Sequence, residues 1–69
     1  MIDVIQTGIR IRDLIHSSDY SVNDVADYLG TSNTSIYRYL RGAVLPSIDR
    51  LLLLSHLLGV TINDILVTI

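Results

Sequence analysis

The sequence predicts an all-α fold built from five short helices. Hydroxyl residues suited to start helices recur along the chain, and three of its four glycines follow a predicted helix, where positive φ is needed. No stretch alternates apolar and polar residues with a period of two, so we expect no strands. With 69 residues, 49% of them hydrophobic, the chain has room for a single domain spanning residues 1–69 with an aliphatic core.

Residues 21–42 predict two helices joined by a tight turn. Ser21 and Asp24 have the spacing of a capping box, and Gly30 follows the first helix where a left-handed residue ends it. Each helix has about 8–9 residues and would not be stable alone, since isolated helices need about 12–15. The pair must therefore pack against the rest of the chain.

The second helix of this pair begins after Thr31 or Ser32, of which Ser32 is the better N-cap. Ile36 and Leu40 recur at helical spacing and are predicted to face the core. Gly42 closes the helix.

Three further helices flank the pair. Residues 3–16 predict the first, although Thr7 is an alternative cap for a shorter one. Ser47 is the predicted N-cap of a helix over 48–58, and Thr61 opens a fifth helix with another capping-box spacing.

Two residues of the first helix have ordinary structural explanations. Gly8 weakens the helix by about 0.5–1 kcal/mol relative to alanine if it lies inside. His16 lies near the predicted C-terminus, where its main expected role is a favourable interaction with the helix dipole.

The charge is unevenly distributed. The chain carries −2 overall, but residues 31–50 hold three arginines, at positions 38, 41 and 50, against Asp49 alone. The arginines could simply solubilise one face of the protein. The opposite distribution in residues 1–30, with five aspartates and two arginines, makes the basic segment distinct.

The composition argues against catalysis. There is no cysteine, glutamate or lysine, and the two histidines are forty positions apart with no partner at a metal-ligand spacing. We expect neither an enzyme nor a metal, cofactor or small-molecule ligand. The longest apolar stretch, residues 51–60, is too short to span a bilayer, and no signal peptide is visible, so we expect a soluble cytoplasmic protein without a membrane partner.

The outer face of the second helix of the pair matches the chemistry of DNA base edges. Asparagine can pair with adenine, arginine with guanine, and a threonine methyl can pack on the thymine methyl. Any amphipathic helix has a polar outer face, but this one contains no acid. We predict base contacts from Asn33, Thr34, Tyr37 and Arg38. We predict phosphate contacts from the hydroxyls of Ser35 and Tyr39 and from Arg41 and Arg50.

Three segments carry a family resemblance: GIRIRDL at 8–14, SVNDVADYLGTSNTSIYRYLRG at 21–42 and LPSIDRLLLLSHLLGVTINDIL at 45–66. Together they resemble the phage repressor and Cro-type (XRE-type) helix-turn-helix family over nearly the whole chain. The resemblance implies a lambda-repressor-like, five-helix domain that binds operator DNA as a dimer and controls transcription.

The resemblance also implies site residues. The first turn of the family's recognition helix falls on Asn33 and Thr34, and its next groove-facing position falls on Arg38. Backbone N–H groups near Val22 and Asn23 would meet phosphate, as would the loop after Gly42 at Ala43.

Two positions depart from the family pattern. Val22 stands where the family commonly has a glutamine that supports phosphate and base contacts. Ile15 and Leu40 stand where the family often pairs an arginine with a glutamate, so an apolar contact would replace an ion pair.

We therefore predict a sequence-specific, DNA-binding transcriptional regulator, standing alone without a sensor domain. The alternative is a protein-interaction module of the same fold that binds another regulator or a toxin. Salt separates the two, because DNA affinity falls steeply with salt and an apolar protein contact barely responds.

The four leucines at 51–54 cannot all face one core, since they sweep about 300° around a helix. Leu53 and Leu57 share another side, and Val67 and Ile69 add apolar residues at the end of the chain. We predict a dimer interface formed by Leu53, Leu57, Val67 and Ile69. The alternative is a C-terminal tail that folds back over the two leucines.

Overall fold

A computed structural model describes all residues, 1–69, and has five helices, which confirms the predicted all-α fold. The helices are α1 (Val4–His16), α2 (Val22–Leu29), α3 (Asn33–Leu40), α4 (Ile48–Leu58) and α5 (Ile62–Ile65). None of them is both long enough and apolar enough to cross a membrane.

Side-chain caps define the starts of the helices as the sequence predicts. Ser21 accepts from the amide of Asp24, whose carboxylate accepts from the amide of Ser21 at 2.9 Å. Thr61 and Asp64 form the same reciprocal pair, and these hydrogen bonds hold the pKa of Asp64 below its ordinary value, with a smaller contribution from the charge of Arg10. Because the helices are short, these caps determine where each begins.

The core lies where the helices cross. Helix α1 packs against α3 and α5, and α2 packs against α3 and α4. Ten apolar side chains form it: Ile11, Ile15, Val25, Ala26, Leu29, Ile36, Tyr39, Leu51, Leu54 and Ile65. Leu40 is half-buried against this cluster, so both Ile15 and Leu40 take part in apolar packing.

Tyr39 is a correction to the sequence analysis. We predicted that its hydroxyl would contact phosphate, but only 5% of the residue is exposed. It follows Ile36 by three residues, which places both side chains on the same face of α3. Its ring therefore belongs to the core, and its hydroxyl accepts a hydrogen bond from Arg50 at 2.6 Å.

Gly8 allows α1 to contact the end of α3 directly. A Cβ atom at this position would lie 2.8 Å from the carbonyl oxygen of Leu40 and 3.1 Å from the amide nitrogen of Gly42, and closer still to the carbonyl oxygen of Tyr39. These neighbours are backbone atoms, which cannot rotate away. The glycine that weakens α1 as an isolated helix is therefore required by its packing.

Gly42 completes the same contact from the other side. Helix α3 ends at Leu40, two residues before the glycine, and Gly42 has a φ of 74°. A Cβ on it would lie 2.7 Å from the Cα of Ile5. Both the left-handed backbone and the close approach exclude a larger residue here.

The chain termini pair with each other, which the sequence analysis did not predict. The amide of Asp3 donates to the carbonyl of Val67 at 2.7 Å, and the amide of Ile69 donates to Met1 at 2.8 Å. The buried hydroxyl of Thr7 accepts from the amide of Val67 at 3.0 Å. The tail therefore runs beside the start of α1.

The leucines of α4 are distributed unevenly around the helix. Leu51 and Leu54 are buried, whereas Leu53 and Leu57 are half-buried against the core. The most exposed of the four consecutive leucines is Leu52, at 44%. The sequence analysis did not single out Leu52.

We predict that Gly8→Ala lowers the free energy of unfolding by about 1–2 kcal/mol. Alanine improves helix propensity by about 0.5–1 kcal/mol, but a clash in a packed interior costs about 1–3 kcal/mol. Urea unfolding followed by circular dichroism measures the difference. Gln6→Ala is the matched control, since Gln6 is exposed on the same helix. An alanine variant at position 8 as stable as the parent protein would contradict the close approach.

Candidate nucleic-acid interface

Helix α3 exposes the polar face that the sequence predicts. Ser32 caps the helix by accepting from the amide of Ser35, and buried Ile36 fixes which side faces inward. Ser35 itself is half-buried. The exposed side chains of α3 and of the residue after it are Asn33, Thr34, Tyr37, Arg38 and Arg41.

One cleft runs along one flank of α3, and we call it the Arg50 cleft. It has a volume of about 280 Å³ and lies between α3, the following loop and the start of α4. Its lining residues are Ser35, Arg38, Tyr39, Val44, Leu45, Ser47 and Arg50.

The guanidinium of Arg50 is held in place within this cleft. Ser47 caps α4 by accepting from the amide of Arg50 at 3.3 Å, which sets where α4 begins. The Nη1 atom of Arg50 then donates to the hydroxyl of buried Tyr39. Because the tyrosine ring is packed in the core, it limits the freedom of the arginine. Sequence reasoning assigned Tyr39 to phosphate, and the structure shows it supporting the arginine.

A second cleft lies on the other flank of α3, and we call it the Arg12 cleft. It has a volume of about 530 Å³ and lies between α1, the start of α2 and the end of α3. Its lining residues are Arg12, His16, Val22, Tyr37, Leu40 and Arg41.

Sequence reasoning missed Arg12 and His16 at this position. Their separation of four residues places both on one face of α1. That spacing was visible in the sequence, but it could not show that the face lies beside Arg41 of α3. The contact depends on how α1 crosses α3, which is a property of the tertiary structure.

The two clefts lie on opposite sides of the exposed face of α3. Residues 35, 38 and 39 of the chain line the Arg50 cleft, whereas residues 37, 40 and 41 line the Arg12 cleft. At about 100° per residue, these two sets lie on opposite flanks of one helix. Two arginines line each cleft, and no aspartate lines either.

The backbone amides near the predicted phosphate contacts differ in availability. Asp24 and Val25, the third and fourth residues of α2, donate within the helix start, to the Ser21 side chain and its carbonyl. The amides of Val22 and Asn23, in the first turn of α2, form no such bond and point out of the helix end. The amide of Ala43 donates to the carbonyl of Arg38 at 3.0 Å, so it is not free to bind phosphate as we predicted.

Acidic side chains collect elsewhere. A third cleft of about 560 Å³ is lined by Asp19, Asp24 and Asp27 together with two half-exposed tyrosines and Leu57. It contains no basic residue. Basic and acidic side chains are therefore more clearly separated among the clefts of the folded protein than along the sequence.

No group of three or more His, Cys, Asp or Glu side chains is arranged to hold a metal ion. The one clearly perturbed carboxyl group, Asp64, is explained by its capping role. Neither observation identifies a catalytic centre.

Two comparisons bear on identity. The helix-turn-helix family model matches residues 11–65. The crystal structure of the restriction-modification controller protein C.AhdI from Aeromonas hydrophila is similar to this chain, with a TM-score of 0.82 and 22% sequence identity. The similarity covers 91% of this chain and 96% of that chain, and at this identity it establishes the fold. No curated protein matches this chain significantly.

The family match, which spans most of the chain, supports the expectation that the protein is a regulator and not an enzyme. It includes all of α2, α3, α4 and α5 and the C-terminal part of α1. The chain therefore belongs to the helix-turn-helix family and is a sequence-specific DNA-binding transcriptional regulator.

Proposed function

We propose that this regulator binds a palindromic operator as a homodimer, with α3 of each copy in the major groove. The observation that carries the proposal is the pair of arginine-lined clefts on the two flanks of an exposed, acid-free helix. The major groove is about 12 Å wide and admits one helix, with a phosphate strand on each side. Each cleft would therefore face one strand.

Four side chains are positioned to read bases. Asn33, Thr34, Tyr37 and Arg38 are all exposed on α3, and the first two lie in its first turn. Residues near the start of a recognition helix approach base edges in this type of complex. Arg38 is the candidate for a bidentate contact with guanine.

Phosphate contacts come from both flanks of α3. Arg50 and Ser35 would contact one strand, and Arg41 would contact the other, together with the amides of Val22 and Asn23. Ala43 is exposed in the loop after α3 and would lie against the DNA backbone. It would do so without donating a hydrogen bond, since its amide already donates to the carbonyl of Arg38.

The homodimer would use the surface predicted from the sequence. Leu53 and Leu57 each leave part of their side chain uncovered, and Ile69 is 84% exposed at the end of the paired tail, where Val67 is half-buried. A two-fold axis through this surface would give the two α3 helices a common orientation toward DNA, as a palindrome requires. With DNA as its ligand, we propose that the protein works in the cytoplasm.

Arg38→Ala should weaken binding to the selected operator by about 1–3 kcal/mol and relax the preference at one base pair. Selection from random duplexes followed by affinity measurements on single-base variants tests this. Arg10→Ala is the control, since Arg10 is an exposed arginine whose guanidinium donates to the carbonyl of Asp64, away from α3. An equal loss on all sequences would make Arg38 a phosphate contact only.

Tyr39→Phe should weaken DNA binding about 2- to 10-fold without changing its salt dependence, because Arg50 keeps its charge but loses a hydrogen bond worth about 0.5–1.5 kcal/mol. Arg50→Gln should lower affinity and also flatten the salt slope. Tyr28→Phe, at a half-exposed tyrosine in the acidic cleft, is the control. Unchanged affinity of the Tyr39 variant would remove its role in positioning Arg50.

Leu53→Glu combined with Leu57→Glu should convert the dimer to a monomer in sedimentation and sharply weaken operator binding. Because both leucines also contact the core, Ile69→Glu provides a second variant that cannot disturb it. Leu52→Glu is the matched control, since this neighbouring leucine faces a different direction on α4. If the folded Ile69 variant and the double variant both remain dimeric, the interface lies elsewhere.

The salt dependence of binding also decides between this function and a protein-interaction module. Several phosphate contacts predict a steep fall in affinity with salt. If the affinity for random-sequence duplexes and for the selected operator barely changes with salt, the protein-interaction alternative is favoured.

A further inference from the structure

The Arg12 cleft brings together basic side chains from two helices that are distant in sequence. Arg12 and His16 extend from α1, and Arg41 follows the last residue of α3. All three are exposed. The charge pattern of the sequence assigns only Arg41 to the basic segment, so the first two residues have no role in the function proposed so far.

The chemistry of this cleft suits a phosphate group. Its lining includes two guanidinium groups, one imidazole and the hydroxyl of Tyr37, all of which can donate hydrogen bonds, and no carboxylate. Val22 also lines it, which places the unbonded amides of the first turn of α2 at its edge. An arginine can bind phosphate oxygens through two donors at once.

The position of the cleft indicates that the phosphate would belong to the DNA backbone. It flanks α3 on the side opposite the Arg50 cleft, and Tyr37 contributes both to the exposed face of α3 and to the cleft wall. A strand bordering the major groove would pass along this wall when α3 is inserted.

We propose that Arg12 and His16 bind the DNA backbone on this flank, so that α1 acts as a second phosphate-binding element beside the helix-turn-helix unit. This inference rests on the proposed insertion of α3 into the major groove. It predicts that the footprint of one copy reaches both strands bordering the groove, with α1 contacting only one of them.

The imidazole adds one more hydrogen-bond donor to the cleft. It lies with Arg12 on its own helix, with Tyr37 of α3 and Arg41 just after α3, and with Val22 of α2. Its N–H can donate to a phosphate oxygen beside the two guanidinium groups.

The first test measures binding to a random-sequence duplex pool as a function of salt. Arg12→Gln should reduce the slope of log affinity against log salt by about 0.9, the value for one lost phosphate contact, without altering base preference. Arg12→Lys should retain the slope, which would exclude a packing explanation. Arg10→Gln is the matched control on the same helix, because its guanidinium is directed to Asp64.

The second test measures affinity for the same duplex pool at constant salt and pH. His16→Ala should weaken binding, because a donor to phosphate is lost. His56→Ala, at an exposed position on α4, should leave the affinity unchanged.

The outcomes separate this inference from the proposed function. If Arg12→Gln matches Arg10→Gln while Arg50→Gln still flattens the slope, α1 does not bind phosphate and the insertion of α3 stands. If Arg50→Gln also has no effect, both proposals fail. If His16→Ala binds the duplex pool as tightly as the parent protein, the histidine contact is wrong.

Discussion

The α1 backbone packs directly on the last turn of α3. Gly8 has no Cβ, so the helix can approach the carbonyl groups of Tyr39 and Leu40 and the amide of Gly42 without an intervening side chain. Residue 42 meets Ile5 just as closely from the other side. In a chain of this size, where a small core leaves little margin, such a contact sets the angle and distance between two helices.

The exposure of α3 follows from this contact. With one end of α3 held against α1 and Ile36 buried in the core, the remaining face can only point to solvent. The same crossing places the second half of α1 beside α3, which creates the cleft shared by Arg12 and Arg41. The orientation of the exposed face of α3 is therefore determined by backbone packing at one end of the helix as much as by the residues on it.

Charge segregation gives an acidic protein a basic face. The overall charge is −2, yet four of the five arginines line the two clefts beside α3, and three of the seven aspartates line the cleft elsewhere. Arginine, with a planar guanidinium and several donors, can bind phosphate with directional hydrogen bonds despite a low total charge. Favourable local fields can coexist with an unfavourable net charge because exposed charges are screened beyond about 8–10 Å.

The sequence alone determined the five helices, because their boundaries depend on local interactions. Caps such as Ser21 with Asp24, and left-handed glycines such as Gly30, act within a few residues of the helix ends. The periodicity of α3 also correctly predicted Ile36 in the core and an outward face carrying Arg38.

Features that depend on contacts between distant segments of the chain were decided by the tertiary structure. The spacing of Tyr39 from Ile36 is compatible with burial, but a tyrosine suits both a core and a surface, so the tertiary packing decided that its ring is buried. Gly8 looked like a defect in α1 because the chain it contacts lies more than thirty residues away. Arg12 became part of the candidate interface, and the termini paired, for the same physical reason. Helix formation depends on neighbouring residues, whereas the relative placement of helices depends on which surfaces pack together.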